Sequence, residues 1–359
     1  LSTPVSSDII PSNTGNDIDC CAIEMGRLTM LTKRQNLIET ITGGNPDRFV
    51  NQYEPFAIMY GTPVTAQSPM PGYGQHNVMD AWGVTRSWPV GTPGAFPVHD
   101  EAHIVVKDIA RWRDYVKAPN VDFPASAWEP AIAQMEKIDR NEQFATLFYA
   151  PGVFEQSHYL MEISRCLVAF YEEPEAMLEL IEFITDFQLR YAEQVCKYLK
   201  PDALFQHDDW GTQISTFMSP DMFEEFLLPS YKKLYGYYKD HGVQIIMHHS
   251  DSYAATLVPF MIDMGIDIWQ GVMKGNNIPE LMKKYYGKIT FMGGINSADV
   301  DFPGWTQEDV AREVKRACEE NGKLYFIPSA SQGLPMSNFP GVYEALTQEI
   351  DKMSKIMFG

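Results

Sequence analysis

The sequence predicts an α/β protein that folds as one (β/α)8 barrel, a TIM barrel, behind an N-terminal extension. Short apolar segments recur along the 359 residues and alternate with amphipathic segments of helical period. The apolar segments lack polar alternation, as expected for strands buried on both faces of a parallel sheet. No GxGxxG motif follows an early strand, so the closed barrel is favoured over an open dinucleotide-binding sheet.

The chain divides into two parts of different character. Residues 1–29 are rich in Ser, Thr, Asn and Asp with little periodicity, and we interpret them as an N-terminal extension. The patterned chain, 30–359, is predicted to be the barrel domain. Its first helix is predicted within 30–44, where the pattern ends at a pair of glycines.

Strands and helices are predicted in alternation along this domain. Three amphipathic stretches predict helices over 174–199, 219–242 and 306–322. Pro229 lies inside the second and predicts a kink or a split there. The strands are predicted over 56–61, 144–150, 203–210, 243–251, 266–272, 289–296 and 323–331.

Composition limits the classes of function. The net charge of −19 and a pI near 4.8 argue against nucleic-acid or anionic-membrane partners, which select basic surfaces. No apolar run is long enough for a membrane span, and we expect no secretory signal. Five cysteines without a CxxC pair predict neither a disulfide framework nor a thiolate zinc site. We therefore expect a cytoplasmic protein.

Polar residues follow the predicted strands at their carboxyl ends. In a (β/α)8 barrel these ends meet on one face, where the active site lies. The sequence therefore predicts that these residues surround a pocket: His207, Asp208, Asp209, Trp210, His248, His249, Asp251, Gln270, Asn296, Ser329, Ser331 and Gln332.

The segment IIMHHSDS (245–252) contains the pair His249 and Asp251. Residues two apart in an extended segment point to the same side, so an imidazole and a carboxylate lie together there. Such a pair suits a metal ion or acid–base chemistry. Alternatively, Asp251 caps the following helix while His249 is a core residue. His248 is expected to point away from the pocket and is given no role.

The segment HDDWGTQ (207–213) is dense in polar groups for a strand end. It can be read as a turn in which an Asp bonds its own backbone, or as a substrate contact. For the second reading we favour Asp209 and Gln213 over Asp208. Aromatic residues near the strand ends suit either core packing or a pocket for a flat ligand: Tyr60, Trp82, Tyr149, Phe154 and Trp210.

Six segments together resemble the uroporphyrinogen decarboxylase superfamily. They are TKRQNLIETITGGNPDRF (32–49), DAWGV (80–84), HDDWGTQ, MHHSDSY (247–253), FMGGIN (291–296) and SASQGLP (329–335). The superfamily includes cobalamin-dependent methyltransferases on the same barrel. Its decarboxylases carry an arginine-rich RQAGRY-type loop, whereas 60–84 here contains no arginine. A polyanionic porphyrinogen is therefore an unfavourable substrate.

In the methyltransferase branch, the resemblance implies zinc held by a His-x-Cys pair and a later Cys. The first ligand falls on His249, the second on Asp251 and the third near Gln332, so both thiolates are replaced. A zinc ion on nitrogen and oxygen ligands suits the polarisation of an ether or amine rather than activation of a thiol.

The hypothesis drawn from this resemblance is a corrinoid-dependent methyltransferase. It moves a methyl group from a small methylated donor, such as a methoxylated aromatic, to a corrinoid protein that carries cobalamin and docks on the barrel rim. Asp209 or His158 would protonate the leaving group. Substrate contacts are predicted at Tyr60, Trp82, Gln213 and Asn296.

Three further readings stay open at this point. One is a metal-free decarboxylase of a small acid with Asp209 as the acid, and another is a barrel that binds a small molecule or partner without catalysis. A homodimer is also left open. Metal content separates the methyltransferase from the first two.

Overall fold

The computed structural model describes residues 30–92, 94–332 and 338–359. The predicted extension, 1–29, and residues 333–335 of the SASQGLP segment lie outside this part. The strands are β1 (Phe56–Met59), β2 (Val78–Met79), β3 (Thr85–Ser87), β4 (Phe96–Pro97), β5 (Phe144–Tyr149), β6 (Ala203–His207), β7 (Ile245–His249), β8 (Ile268–Val272), β9 (Thr290–Ile295) and β10 (Phe326–Ala330). All seven predicted strands are confirmed, each a little shorter than predicted.

These seven strands form one parallel sheet in the order β1-β5-β6-β7-β8-β9-β10. An apolar cluster on one face takes residues from all seven, including Phe56 of β1 and Ile327 of β10. Because both edge strands contribute to the same cluster, the sheet curls around it. In the described part of the chain β1 and β10 are edges, so the curled sheet is TIM-like but shows no eighth strand closing it.

Helices cover the outer face of the sheet. They are α1 (Lys33–Thr42), α2 (Ala125–Met135), α3 (Val153–Met161), α4 (Ile163–Glu172), α5 (Pro174–Tyr198), α6 (Pro220–Phe226), α7 (Leu228–Asp240), α8 (Val258–Asp263), α9 (Ile278–Tyr285), α10 (Ser297–Val300), α11 (Gln307–Asn321) and α12 (Val342–Phe358). A second, larger apolar cluster lies between these helices and the sheet. None of the helices described is long and apolar enough to cross a membrane.

Local sequence explains where several helices begin and end. Thr32 and Gln35 form a capping box at the start of α1, which ends at Gly43 in the left-handed region. Thr306 caps α11 in the same way. The predicted split at Pro229 is confirmed, because α6 ends at Phe226 and the proline occupies the first turn of α7.

A small antiparallel sheet of β2, β3 and β4 lies in the connection that follows β1. It carries Arg86, whose guanidinium pairs with Asp80 at 2.8 Å, both side chains being buried. The same guanidinium lies 5.4 Å from the ring centre of Tyr159 on α3. This insertion therefore packs against the helix that begins at the carboxyl end of β5.

Candidate active site

Two neighbouring strands end in the same motif, His-x-Asp. β6 runs into His207 and Asp209, and β7 into His249 and Asp251. His207 and His249 are direct Cα partners in the parallel ladder, so the two motifs lie side by side. The imidazole rings stack with centroids 4.3 Å apart. The register of β6 and β7 therefore brings two imidazoles and two carboxylates to one place at the carboxyl end of the sheet.

His207 is held by a carboxylate from α3. Its Nδ1 N–H donates to Oε2 of Glu155 at 2.9 Å, and the Glu155 side chain is buried. Burial alone would lower the pKa of His207, but the charge and hydrogen bond of Glu155, with Asp209 and Asp251, raise it to about 10. This arrangement leaves Nε2 as the ring nitrogen that Glu155 does not engage.

His249 is oriented by a residue of β8, the strand that pairs with β7 on the side away from β6. Its Nδ1 is hydrogen-bonded to Oε1 of Gln270 on β8, and the residue is only 7% exposed. Its Nε2 lies 3.8 Å from Oδ1 of Asp209 and 4.0 Å from Oδ2 of Asp251. Each imidazole thus has Nδ1 occupied, and the Nε2 of His249 faces two carboxylates.

The two carboxylates are linked through the backbone. Oδ1 of Asp209 accepts the N–H of Asp251 at 3.0 Å. Burial and then the like charge of Asp209 raise the pKa of the Asp251 carboxyl above its ordinary value. A proton or a metal cation between these groups would relieve that repulsion.

The donor set fits a metal ion of the zinc type. One ligand atom each from His207, Asp209 and His249 lie within 4.8 Å of one another. Two imidazole nitrogens and carboxylate oxygens are ligands that zinc accepts in tetrahedral sites. The hydrogen bond from His207 to Glu155 is the outer contact that orients a ligating imidazole. Asp251, beside His249, is the natural fourth donor.

The structure places the three predicted metal ligands close together, although in different roles. His249 belongs to the cluster and Asp251 adjoins it. Gln332 is exposed in the segment after β10, and its side chain acts to lower the pKa of the Asp251 carboxyl, against the larger effects of burial and Asp209. The alternative that Asp251 caps the next helix is wrong. That helix begins after a 3-10 turn at Ala255–Leu257, whose first N–H groups have no aspartate cap.

Asp208 and His248 lie on the opposite face from the cluster. Asp208 is fully buried and accepts the N–H groups of Phe154 and Glu155 at 3.0 and 2.7 Å, which anchors the start of α3. It also accepts the hydroxyl of Tyr231. His248 donates to the Asp208 carbonyl at 3.1 Å. Both residues therefore stabilise the fold behind the site.

The predicted substrate residues are dispersed. Tyr60 is 39% exposed and packs on Phe148, which itself lies 6.4 Å from the His207 ring. Trp82 is buried in the core against α5. Gln213 is exposed on the loop after β6, and Asn296 is partly buried before α10. Of these, Tyr60 is the one linked to the cluster by aromatic contacts.

His158 lies on α3, near the site. Burial, and then the charge of His99, lower the pKa of His158 to about 3. Its buried Nδ1 has no hydrogen-bond partner in the described residues. A neutral imidazole of this kind fits a hydrogen-bonding role better than the acid role predicted from the sequence.

The uroporphyrinogen decarboxylase (URO-D) family model matches residues 83–353. The chain belongs to the URO-D family. Among solved structures it is similar to a methyltransferase from Methanosarcina mazei, with a TM-score of 0.62 and 14% identity over 90% of this chain and 99% of that one. At this identity the likeness shows a shared fold.

A weaker likeness links the chain to a B12-independent methionine synthase from Shewanella sp. W3-18-1. The TM-score is 0.44 at 13% identity, over 67% of this chain and 69% of that one. No curated protein matches this chain. The URO-D match includes the whole His-x-Asp pair of strand ends but excludes Tyr60 and Trp82, which precede it.

The sequence placed His207 at the pocket without giving it a metal-ligand role, and it did not identify Glu155. A signal for His207 was present, because HDD and HSD repeat the same spacing at the ends of consecutive strands. Glu155 gave no such signal. It lies in a helix pattern, and only the packing of α3 against β6 brings its carboxylate to His207.

Proposed function

We propose that this URO-D family protein is a methyltransferase that transfers a methyl group from a small methylated donor to a corrinoid protein carrying cobalamin. Methoxylated aromatics are the leading donor class. The observation that carries the proposal is the pair of His-x-Asp strand ends, which gather ligand atoms suited to a Lewis-acidic metal. The fold shared with the Methanosarcina methyltransferase supports it.

Zinc is the metal proposed for this site. His207, His249 and Asp209, with Asp251, would hold it, and it would supply Lewis-acid activation of the leaving oxygen of the donor. The nitrogen and oxygen ligand set lacks thiolates, since the described cysteines Cys166, Cys196 and Cys318 are buried or half-buried elsewhere. Such a set is suited to an oxygen leaving group.

The side chains around the cluster would have distinct tasks. Glu155 holds the His207 ring in place through its hydrogen bond at 2.9 Å. The Asp251 carboxyl, whose pKa burial and Asp209 raise, would give up its proton on binding the metal, because a ligating carboxylate is ionised. Tyr60 and Phe148 offer an aromatic surface to a flat donor.

The remaining sequence predictions enter here as proposals. Gln213 and Asn296 are proposed as further substrate contacts at the rim. The curled sheet is proposed to close as a (β/α)8 barrel, with the corrinoid protein docking over the carboxyl ends of its strands. Methyl transfer requires this docking, because the reacting cobalt must reach the donor.

A metal-free decarboxylase of a small acid is the second candidate. The specific observation that favours it is the pKa of His207, which Glu155 and the nearby aspartates raise to about 10 despite burial. An imidazolium at neutral pH can bind a substrate carboxylate or donate a proton. Asp209 would then act as the acid beside it.

Metal content tests the first candidate. Elemental analysis is made on the full chain, on the double variant His249→Ala/Asp251→Ala, and on the control Asp240→Ala/His241→Ala, which alters a surface pair at the end of α7. Near-stoichiometric zinc in the native protein and the control, but lost from the double variant, is the expected result. Methoxylated donors would then be screened with a cob(I)alamin protein by absorbance.

Absence of zinc from the native protein, even after zinc is supplied, would contradict the methyltransferase mechanism. Release of carbon dioxide from small acids by that metal-free protein would favour the decarboxylase instead.

A further inference from the structure

Gln270 on β8 is the direct neighbour of His249 across the parallel ladder. The two residues are Cα partners, and Gln270 is wholly buried. Its Oε1 accepts a hydrogen bond from Nδ1 of His249. Because the neutral imidazole carries one proton, an acceptor at Nδ1 places that proton there and leaves a lone pair on Nε2.

We propose that Gln270 is the positioning residue that selects the Nδ1–H tautomer of His249. With this tautomer the Nε2 lone pair faces Asp209 and Asp251, which lie 3.8 and 4.0 Å away. The opposite tautomer would point an N–H at the carboxylates and would leave no lone pair for a metal. This proposal rests on the proposed function, because the lone pair on Nε2 is taken to bind the metal ion proposed there.

The backbone next to Gln270 fixes the same ring. The ladder between β8 and β9 slips at a bulge between Gln270 and Val272. Gly271, in the bulge, has φ +92°, and a Cβ there would lie 3.1 Å from both Cε1 and Nδ1 of His249. The glycine therefore lets the main chain approach the imidazole closely, so the ring is confined between this backbone and the Gln270 amide.

The choice of an amide at this position has an electrostatic reason. Glu155, Asp209 and Asp251 already place three carboxylates around the two imidazoles. A neutral amide accepts the Nδ1 proton without adding a fourth negative charge. The amide nitrogen of Gln270 has no partner in the described residues, so the contact with His249 is what orients the side chain.

Zinc affinity tests this role in the full chain. Gln270→Leu removes the acceptor, and zinc affinity measured by chelator competition is expected to fall about 10- to 100-fold. Gln270→Glu keeps an acceptor and is expected to stay within a few-fold of the native protein. The matched control is Gln206→Leu, which removes another buried glutamine from β6 on the face away from the site. Thermal melting of each variant checks that the fold is kept.

Native zinc affinity in Gln270→Leu, or an equal loss in Gln206→Leu, would overturn the proposal. A second measurement separates it from the proposed function. Long-range proton–nitrogen NMR of histidine-labelled, metal-free protein reports which ring nitrogen of His249 carries the proton. If the native chain binds no zinc, the proposed metal-dependent function is contradicted. An Nδ1–H signal that is present in the native chain and lost in Gln270→Leu would still support the role of Gln270. An Nε2–H signal in the native chain refutes it.

Discussion

His207 and His249 stack ring on ring, with centroids 4.3 Å apart and ring planes 23° from parallel. Each ring is held at Nδ1 by a different partner, Glu155 for one and Gln270 for the other. Two imidazoles this close share one electrostatic environment, so a change at either partner is felt by the whole cluster.

Glu155→Gln is expected to weaken metal binding while the protein stays folded. The amide keeps the shape of the side chain but removes the charge that supports His207, and loss of such an outer contact costs about 10- to 100-fold in metal affinity. Chelator competition on the purified chain measures this. Glu172→Gln, at an exposed position at the end of α4, is the control. Equal affinity for the two variants would argue against a ligating His207.

Asp208→Asn is expected to reduce stability and Asp209→Asn to reduce metal affinity, although the two residues are adjacent. The Asp208 carboxyl accepts hydrogen bonds from the N–H groups at the start of α3. The amide of an asparagine would direct an N–H group at these N–H groups, which is expected to lower the free energy of unfolding by about 3 kcal/mol. Asp209→Asn is expected to retain stability but lose metal affinity. Urea unfolding and chelator competition on both variants measure the two effects. The reverse pattern would indicate that Asp208, and not Asp209, supplies the carboxylate that binds the metal.

Acid is expected to destabilise the protein partly through His158. Burial, and then His99, lower the pKa of His158 to about 3, whereas the unfolded chain binds the same proton near pH 6.5. The unfolded state therefore holds more protons as pH falls from about 6.5 toward 3, and stability decreases by at most about 1.4 kcal/mol per pH unit from this group. His158→Phe should flatten the dependence of unfolding free energy on pH in this window.

The control for that measurement is His76→Phe, which removes an exposed imidazole. A pH dependence in His158→Phe as steep as in the native chain would show that His158 is not held neutral by the fold.

Gly293→Ala is expected to destabilise the sheet next to the site. A Cβ at this position would lie 2.5 Å from the carbonyl oxygen of Val272 on the neighbouring strand, and φ is +149°. Overpacking of this kind costs about 1 to 3 kcal/mol. Gly275→Ala, where a Cβ meets no atom within 4 Å, is the matched control. Thermal unfolding measures both, and equal midpoints would contradict the expected clash.

The sequence predicted the strands well because each is a short apolar run with a clear end. The helix boundaries at Gly43, Pro229 and Thr306 followed from local chemistry in the same way. Closure of the sheet into a barrel was also predicted but is not confirmed, since it depends on pairing between the first and last strands. In the described residues that pairing is absent, and Pro328 removes one donor from the ladder of β10.

The candidate site was predictable where spacing along one strand decides it. His249 with Asp251 followed from residues two apart in an extended segment. The pairing of His207 with His249 required the register between β6 and β7, and Glu155 required the packing of α3, neither of which periodicity reveals. Trp82 was predicted to contact the substrate, but its side chain is buried in the core. A position in a motif near a strand end therefore does not by itself place a side chain at the site.

The four proposed ligands stand at the two ends of a single crossover. His207 and Asp209 precede α6 and α7, and His249 and Asp251 follow them, so one continuous segment of the chain supplies the whole set. Such a segment can be exchanged as a single unit. Replacing 203–253 with the matching stretch of a relative would exchange all four proposed ligand positions at once and leave the rest of the chain unchanged.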